Sequence, residues 1–311
     1  MTTITKVSYV TVTYDEAGQR LDNFLLSRYK GVPKSRIYKA VRKGEVRVDS
    51  ARVDAKRKLN ANEIVRLPPI RVKDEQEINS SHASLLAEKL QHNIIYDNPE
   101  ILVVNKPAGH PVHGGSGCEV GVIEAARLLY PNASKLNLGH RLDRFTSGCL
   151  ALFKSRNSLL IFHEALKKRN VVKTYRCIVA GKWPSDIDVI DAPLLAKDGG
   201  RTAIGEEGKD AVTKVEVISQ NKRFSLLEVN ILTGRTHQIR AHLSSYGYPI
   251  IGDGKYGWKR ANYPDLKGNI RIMLHSYQLS FPWKNSKELK FKAKMPEDFI
   301  KCLSILENTS A

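Results

Sequence analysis

The chain of 311 residues is 41% hydrophobic and 26% charged, the balance of a folded globular protein rather than a disordered one. Its 50 Lys and Arg residues outnumber 32 Asp and Glu, and the net charge of +18 favours a polyanionic partner such as nucleic acid. No stretch approaches the roughly 20 apolar residues of a membrane helix and no signal peptide is found, so we expect a cytoplasmic protein that does not bind membranes.

Positive charge is concentrated near the N-terminus. Residues 15–73 hold 16 Lys and Arg against 7 Asp and Glu, a net charge of +9, while the other 252 residues share the remaining +9. A generally basic surface would spread this charge more evenly, so the block is predicted to bind RNA or DNA. A solvated helix face is the alternative for any single charge run within it.

The basic block is predicted to fold as two helices followed by short strands. An apolar stripe at helical spacing predicts a first helix from Leu21, and Pro33 can begin a second helix that Gly44 ends. Residues 46–49 and 64–67 have the composition of short strands. We expect the basic side chains of the second helix and the strand after it to contact RNA: Lys34, Arg36, Lys39, Arg42, Lys43 and Arg47.

The same block resembles a known RNA-binding domain. Residues 18–25, 33–37 and 42–48 are similar to the S4-like family, in which two helices and the following loop lie against structured RNA. The resemblance implies an S4-like RNA-binding domain over residues 13–74.

A connector and a larger domain are predicted to follow. Polar residues 75–90 predict a linker that contains a short helix near 84–90. Over residues 91–311, strand-like runs outnumber helical ones and do not alternate regularly with them, which favours an α+β fold over a doubly wound parallel sheet. Strands are predicted near residues 94–96, 101–104, 149–153, 175–179, 212–218 and 224–232, and helices near 122–130, 159–169 and 236–246.

Sequence motifs for common cofactors are absent. There is no GxGxxG after a strand, no phosphate-loop motif and no GxSxG serine elbow, and the glycine-rich run 114–117 is predicted to be a flexible loop. His110 and His113 lack a neighbouring carboxylate or cysteine, and they are interpreted as loop residues able to touch RNA. Because the four scattered cysteines form no CxxC pair, we expect neither a disulfide framework nor a thiolate zinc site. With the cofactor motifs missing as well, we expect no metal and no cofactor.

The first candidate site is the polar segment 139–148, which runs directly into a predicted strand. Its single carboxylate, Asp143, is flanked by Arg141 and Arg144. An arginine beside a carboxylate favours the ionised form, which suits a nucleophile. From the residues alone, a structural ion pair that caps a turn is an equally good interpretation.

The second candidate site is the segment 232–243, where Thr233 or Thr236 can cap a helix. Basic side chains near the helix start oppose the helix dipole, so they require an anionic partner, either a phosphate or an acidic side chain such as Asp143. The alternative is coincidence in a basic protein. The donors are Arg235, His237, Arg240 and His242, and the buried stripe is Ile239 and Leu243.

Together these segments resemble the RluA-type pseudouridine synthases. Residues 140–148 are similar to the signature of that family, and three further stretches agree with it in the same order: 101–109, 173–175, and 233–243 followed by 252–253 and 273–276. The resemblance implies a mixed, largely antiparallel β-sheet and isomerisation of uridine to pseudouridine in RNA without a cofactor. Within the family, the N-terminal runs 30–35 and 42–48 most resemble members that modify the large ribosomal subunit, which implies 23S rRNA as the partner.

The resemblance also implies roles for individual residues. Asp143 matches the catalytic aspartate, which acts on a flipped-out uridine either as a nucleophile or by abstracting a ribose proton. Arg240 matches the arginine that pairs with it, and Tyr175 the tyrosine that packs on the base and serves in late proton transfer. Arg141 matches the arginine that enters the RNA helix, and Leu274 the apolar residue of the base pocket. Arg235 and His237 are expected to bind substrate.

Two other functions compete with the enzyme interpretation. A non-catalytic RNA-binding or ribosome-assembly protein would not need an aspartate together with its matching arginines and tyrosine. DNA binding is disfavoured because neither a helix-turn-helix nor a zinc-finger pattern occurs. No heptad or dimer stripe is present, so we expect a monomer.

Overall fold

The computed structural model describes residues 2–4, 6–14, 16–29, 32–73, 80–114, 120–130 and 136–309. The chain divides into two compact units, Met1–Ser80 and Ser81–Ala311. Within the described ranges, no helix has both the length and the apolar character needed to cross a membrane.

The N-terminal unit contains two helices and two small antiparallel sheets. Its elements are β1 (Thr2–Ile4), β2 (Ser8–Thr11), α1 (Leu21–Arg28), α2 (Lys34–Arg42), β3 (Arg47–Val48), β4 (Ile64–Leu67) and β5 (Arg71–Lys73). Strands β2, β4 and β3 form one sheet in that order, and β1 pairs with β5. A single apolar cluster, which includes Phe24, Ile37 and Val65, fills the space between helices and sheet. The two predicted helices and both predicted strands are confirmed.

The strand predicted over residues 46–49 is shorter than expected. Asp49 and Ser50 have φ angles of 47° and 68°, in the left-handed region, so the extended backbone ends at Val48. The Asp49 carboxylate instead accepts a hydrogen bond from the backbone N–H of Ile64 at 2.8 Å, which ties the turn to β4.

The larger unit is built around one sheet with helices packed against it. Its helices are α3 (Ser80–Gln91), α4 (Val122–Leu129), α5 (Arg156–Lys167), α6 (Gln238–Ser245) and α7 (Glu297–Asn308). Its strands are β6 (Ile94–Asp97), β7 (Ile101–Lys106), β8 (Asn137–Leu138), β9 (Ser147–Phe153), β10 (Val172–Ala180), β11 (Val189–Asp191), β12 (Leu194–Lys197), β13 (Arg201–Ile204), β14 (Val212–Gln220), β15 (Phe224–Ile231), β16 (Leu274–Pro282) and β17 (Glu288–Lys292).

The main sheet is mixed but largely antiparallel, which confirms the predicted α+β class. Its order is β11-β14-β15-β10-β16-β9-β7-β6, with β17 beside β16 and β8 beside β9. Among the described pairings, only β16 and β9 run parallel. Alternate residues of β7 enter separate apolar clusters, Ile101 and Val103 on one face and Leu102 and Val104 on the other. Burial on both faces explains why such strands are continuous apolar runs in the sequence.

The region predicted as a connector divides differently in the structure. Of its residues, 75–79 lie outside the described ranges, whereas 80–90 belong to α3. Ala83, Leu86 and Leu90 of α3 are buried in the core of the larger unit, so this helix begins earlier than expected and packs as part of that unit. Its apolar residues recur at the spacing of one helix face, which provides the reason.

Gly148 fixes the seam where β9 pairs with β16. Its φ is 113°, and a Cβ at this position would lie 2.2 Å from the carbonyl oxygen of Ser276. Only glycine permits this close approach of two strands. The segment that precedes β9, which contains Asp143, is thereby held beside the start of β16.

Candidate active site

A cleft of about 940 Å³ on the larger unit is lined by the segment between β8 and β9, the end of α5, the start of β10 and the chain from β15 into α6. Among the described residues that line it, Asp143 is the only carboxylate, against six Lys or Arg. The cleft gathers all seven predicted catalytic and substrate-binding residues: Arg141, Asp143, Tyr175, Arg235, His237, Arg240 and Leu274.

The Asp143 carboxylate is held by Arg240, a residue of α6. Arg240 Nη1 lies 3.4 Å from Asp143 Oδ2, while 30% of the Asp143 side chain is exposed to the cleft. Arg240 is itself fixed by buried Asp253, which accepts hydrogen bonds from Nε at 2.6 Å and from Nη2 at 3.0 Å. This two-point contact orients the guanidinium toward Asp143 before any substrate binds.

The arginines next to Asp143 in the sequence do not hold its carboxylate. Arg144 points away, since its Nε donates to the carbonyl oxygen of Gly109 at 2.9 Å. Arg141 is exposed at the cleft and forms no ion pair with any described residue. The expectation that these flanking arginines pair with Asp143 is therefore wrong, and its partner is Arg240, 97 positions further along the chain.

The start of α6 also differs from the prediction. The helix begins after His237, which has a φ of 54°, and neither Thr233 nor Thr236 caps it. Thr233 Oγ1 donates to Gln238 Oε1 at 2.7 Å instead, and Gln238 Nε2 donates to the carbonyl oxygen of Val212 at 3.0 Å. This network ties the turn before α6 to β14. Ile239 and Leu243 are buried as expected.

His237 links Asp143 to a tyrosine behind the cleft. Its Nδ1 lies 3.0 Å from the Tyr256 hydroxyl, which accepts the backbone N–H of Thr202 at 2.8 Å. The other ring nitrogen, Nε2, lies 3.9 Å from the Asp143 carboxylate, so a neutral imidazole that accepts the Tyr256 proton at Nδ1 would turn its N–H toward Asp143. Burial lowers the pKa of His237 and the Asp143 charge only partly offsets this, so the neutral ring is favoured.

The floor of the cleft is apolar. Tyr175 and Leu274 are 6% and 3% exposed, and Ile231 and Ile239 line the same region. Burial, followed by the charge of Asp143, raises the pKa of the Tyr175 phenol far above its ordinary value. The phenol therefore stays protonated at neutral pH and presents a flat, neutral ring to the cleft.

Lys106 holds the segment containing Asp143 through backbone hydrogen bonds, a role that sequence analysis missed. It is fully buried, and its Nζ donates to the carbonyl oxygens of Pro107, His110 and Arg144 at 2.9, 2.8 and 3.1 Å. Burial lowers the pKa of Lys106 to about 7, opposed by the nearby Asp143 charge. The run 101–109 contained this lysine, but nothing in its spacing identified the carbonyl group of Arg144 as a partner.

The basic residues predicted to bind RNA lie on the N-terminal unit and differ in whether they contact another described residue. Lys34, Lys39, Arg42 and Lys43 are exposed and form no ion pair with a described residue. Arg36 instead contacts Glu45 at 3.0 Å, and Arg47 donates to the carbonyl oxygen of Ser50 at 3.1 Å. Five of the six predicted residues, all but Arg36, thus lack a carboxylate partner among the described residues.

Possible metal ligands are not clustered in the part of the chain that the structure describes, where no three His, Cys, Asp or Glu side chains are grouped to hold a metal ion. Cys149, Cys177 and Cys302 are buried free thiols, and Cys118 lies outside the described residues, as does most of the run 114–117. His113 lines the cleft, and its predicted contact with RNA stays a prediction.

Known protein families match both units of the chain. The family described as RNA pseudouridylate synthase matches residues 100–245, and the S4 domain matches residues 19–65. The chain is 42% identical over 306 residues to the ribosomal large subunit pseudouridine synthase C of Pasteurella multocida, covering 96% of this chain and 94% of that protein. It is 42% identical over 311 residues to the Escherichia coli K12 protein of the same name, covering 97% of each.

Two solved structures of human RNA pseudouridylate synthase domain proteins are similar in fold to this chain. Human RNA pseudouridylate synthase domain containing 4 superposes with a TM-score of 0.62 at 29% identity, over 73% of this chain and 98% of that one. Human RNA pseudouridylate synthase domain containing 1 gives a TM-score of 0.56 at 25% identity, over 68% and 85%. The resemblances to the S4 domain, to the pseudouridine synthases and to the members acting on the large ribosomal subunit are all confirmed, as is the fold class.

Proposed function

The chain belongs to the RNA pseudouridylate synthase family, and from this premise we propose that it isomerises specific uridines in the 23S rRNA of the large ribosomal subunit. The observation that carries the proposal is Asp143, which lines a cleft with six cationic side chains and is engaged by Arg240 while still exposed to a ligand. We place the reaction in the cytoplasm, with the protein acting as a monomer.

The proposed isomerisation consumes no co-reactant. The bond between uracil N1 and ribose C1′ breaks, the base turns, and C5 forms the new bond to C1′. The proton lost from C5 is matched by the proton gained at N1, so atoms and electrons balance within the substrate. Asp143 either attacks the ribose or base as a nucleophile or takes a proton from the ribose, and both routes use an ionised, accessible carboxylate.

Arg240 acts by positioning and by charge. Because Asp253 fixes two of its nitrogens, the guanidinium is held in place at no cost when substrate arrives. Its remaining nitrogen contacts the Asp143 carboxylate and holds it in the cleft. Exclusion of water by a bound nucleotide would strengthen this interaction.

The apolar floor suits an unstacked uracil. Removing a base from an RNA helix costs a few kcal/mol, which is offset by stacking on an aromatic ring and by a side chain that takes the place of the base. Tyr175 and Leu274 supply the apolar contacts, and the exposed Arg141 at the cleft is available to enter the RNA helix. As a protonated phenol, Tyr175 can act as a proton donor but not as a base at neutral pH. Arg235 and His237 border the same nucleotide.

The N-terminal unit supplies affinity. Four exposed cations without a carboxylate partner among the described residues, Lys34, Lys39, Arg42 and Lys43, fit binding to the phosphates of structured RNA, and Arg36 and Arg47 flank them.

The direct test is to map pseudouridine in 23S rRNA from a strain lacking the protein. We expect specific sites to lose the modification, to regain it with the wild-type gene and to stay unmodified with Asp143→Asn. Full restoration by Asp143→Asn would contradict the assignment of Asp143. An unchanged modification map in the deletion strain would refute the substrate, and would instead favour a binding or assembly role.

A further inference from the structure

Lys173 is a cation in the cleft for which the described fold provides no anionic partner. It lies on β10 two residues before Tyr175, so both side chains project from the same face of the strand about 6–7 Å apart. The lysine is half-buried, and burial lowers the pKa of its ammonium group. A buried charge without a partner is costly, which makes this position unusual.

Other cations in or beneath the cleft have partners among the described residues. Arg240 is bound by Asp253 and Asp143, Arg235 Nε donates to the carbonyl oxygen of Asp210 at 3.0 Å, and buried Lys106 donates to three backbone carbonyls. By contrast, no described residue accepts a hydrogen bond from Lys173 Nζ or forms an ion pair with it. The ammonium group therefore has three donors available to a ligand.

Gly234 keeps the space beside this ammonium open. A Cβ at residue 234 would lie 3.5 Å from Lys173 Nζ, and the glycine does not have a left-handed φ that would require its presence for backbone reasons. A side chain there would cover one approach to Nζ. The turn before α6 thus brings backbone, rather than a competing side chain, to the position where an anion would bind Lys173.

We propose that Lys173, beside the backbone of Gly234, is a phosphate-binding subsite for the nucleotide whose base enters the cleft. This inference rests on the proposed function. With the uracil on Tyr175 and the ribose at Asp143, a phosphate flanking that ribose would lie near Lys173, the next residue of β10 on the same face as Tyr175. An ammonium ion is a suitable point-charge partner for a phosphate, and this contact would anchor the nucleotide against rotation while the base turns.

The experiment uses the full-length protein and an RNA hairpin that carries a uridine identified by the 23S rRNA map. Each phosphate flanking this uridine is replaced in turn by an uncharged methylphosphonate. Single-turnover conversion is measured against enzyme concentration for wild type, Lys173→Met, Lys173→Arg and a matched control, Lys168→Met. Lys168 is an exposed lysine of the same region that pairs with Glu164 at 3.6 Å and does not line the cleft.

For wild type and Lys168→Met, we expect one methylphosphonate to raise the half-saturating enzyme concentration roughly tenfold. On unmodified RNA, the half-saturating concentration of Lys173→Met should be higher than that of wild type by a similar factor. Introducing the methylphosphonate should not raise the value for Lys173→Met any further. The slope of log affinity against log salt should also fall by about 0.7–0.9, the value expected when one phosphate fewer is neutralised. Lys173→Arg should regain sensitivity to the methylphosphonate, which a purely structural role would not produce.

Equal losses for wild type and Lys173→Met at every flanking phosphate would overturn the subsite. If Lys173→Met does not fold, failure of Lys173→Arg to respond to any methylphosphonate would overturn it as well. These outcomes are distinct from failure of the proposed function, which would be seen first as absence of conversion by the wild-type protein on unmodified RNA.

Discussion

Arg240 of the larger unit and the exposed lysines of the N-terminal unit hold their positive charges in opposite ways. In the larger unit, Arg240 is 7% exposed and held between two carboxylates. In the N-terminal unit, cations such as Lys39 and Lys43 stand on the surface without a carboxylate partner among the described residues. Under the proposed function, the charge that acts in chemistry is fixed by the fold, whereas the charge that binds RNA stays exposed until the RNA neutralises it.

This difference has an energetic reason. A buried ion pair must recover the cost of removing two charges from water, and it does so only with good geometry. Once formed, it needs no rearrangement when the substrate reacts. Exposed lysines contribute almost nothing to folding, but they release counterions when they meet phosphates. The two units should therefore respond differently to mutation, to acid and to salt.

The largest effect is expected from Asp143→Asn. Single-turnover conversion should fall by roughly four orders of magnitude or more, the scale of removing a group that reacts with the substrate. RNA affinity should change less than about threefold, because the contacts of the N-terminal unit are untouched. A rate within tenfold of wild type would contradict a catalytic role.

Asp253→Asn should damage both catalysis and folding of the larger unit. Removing one member of a buried, hydrogen-bonded ion pair costs about 3 kcal/mol in stability, because Arg240 keeps its charge without its partner. The conversion rate should fall about 100-fold as the guanidinium loses its orientation. Urea unfolding and single-turnover kinetics measure the two effects. Asp298→Asn, which disrupts an ion pair on an exposed aspartate at Arg271, is the control and should change neither strongly.

Acid should destabilise the larger unit first. All nine histidines of the chain lie in it, and burial lowers the pKa of His275 to about 4 and of His140 to about 3. An unfolded histidine titrates near pH 6.5, so the stability gained from the neutral buried ring is complete above that pH. It is then lost as the pH falls toward 4. In the N-terminal unit, hydrogen bonds from Arg57 lower the pKa of Glu63. The contribution of this ion pair to the free energy of unfolding is therefore lost only at a lower pH.

His275→Gln tests this window. The wild-type free energy of unfolding should drop by about 3 kcal/mol more than that of the variant between pH 6.5 and pH 4. Tryptophan fluorescence during urea unfolding reports the larger unit selectively, because all three tryptophans lie there. Identical pH profiles for the two proteins would contradict the assignment of acid sensitivity to this buried ring.

Much of the fold follows from local sequence patterns. The periodicity around Leu21 and Phe24 predicts α1, and continuous apolar runs predict β7 and β9, because burial on one or both faces leaves a direct mark on composition. The early end of β3 escaped prediction because Asp49 and Ser50 adopt left-handed backbone conformations that composition alone does not reveal.

The sequence predicted which residues line the cleft, but not which of them contact one another. The family resemblance named Asp143 and Arg240, whereas local charge reasoning chose the adjacent arginines, which form no ion pair with Asp143 among the described contacts. The anchoring of Arg240 by Asp253 and the left-handed start of α6 at His237 depend on how distant segments approach one another. Such contacts leave no periodic signal in a single sequence.

The division between docking and chemistry is tested most directly by one comparison. In a variant with Lys34, Lys39, Arg42 and Lys43 all changed to Gln, single-turnover conversion is measured at increasing enzyme concentration and at several salt concentrations. We expect the half-saturating concentration to rise at least tenfold and the salt slope to fall by about 3, since each phosphate that is no longer neutralised lowers the slope by roughly 0.7–0.9. The maximal rate should stay within about twofold of wild type. A large fall in the maximal rate with an unchanged salt slope would contradict the separation of docking from chemistry.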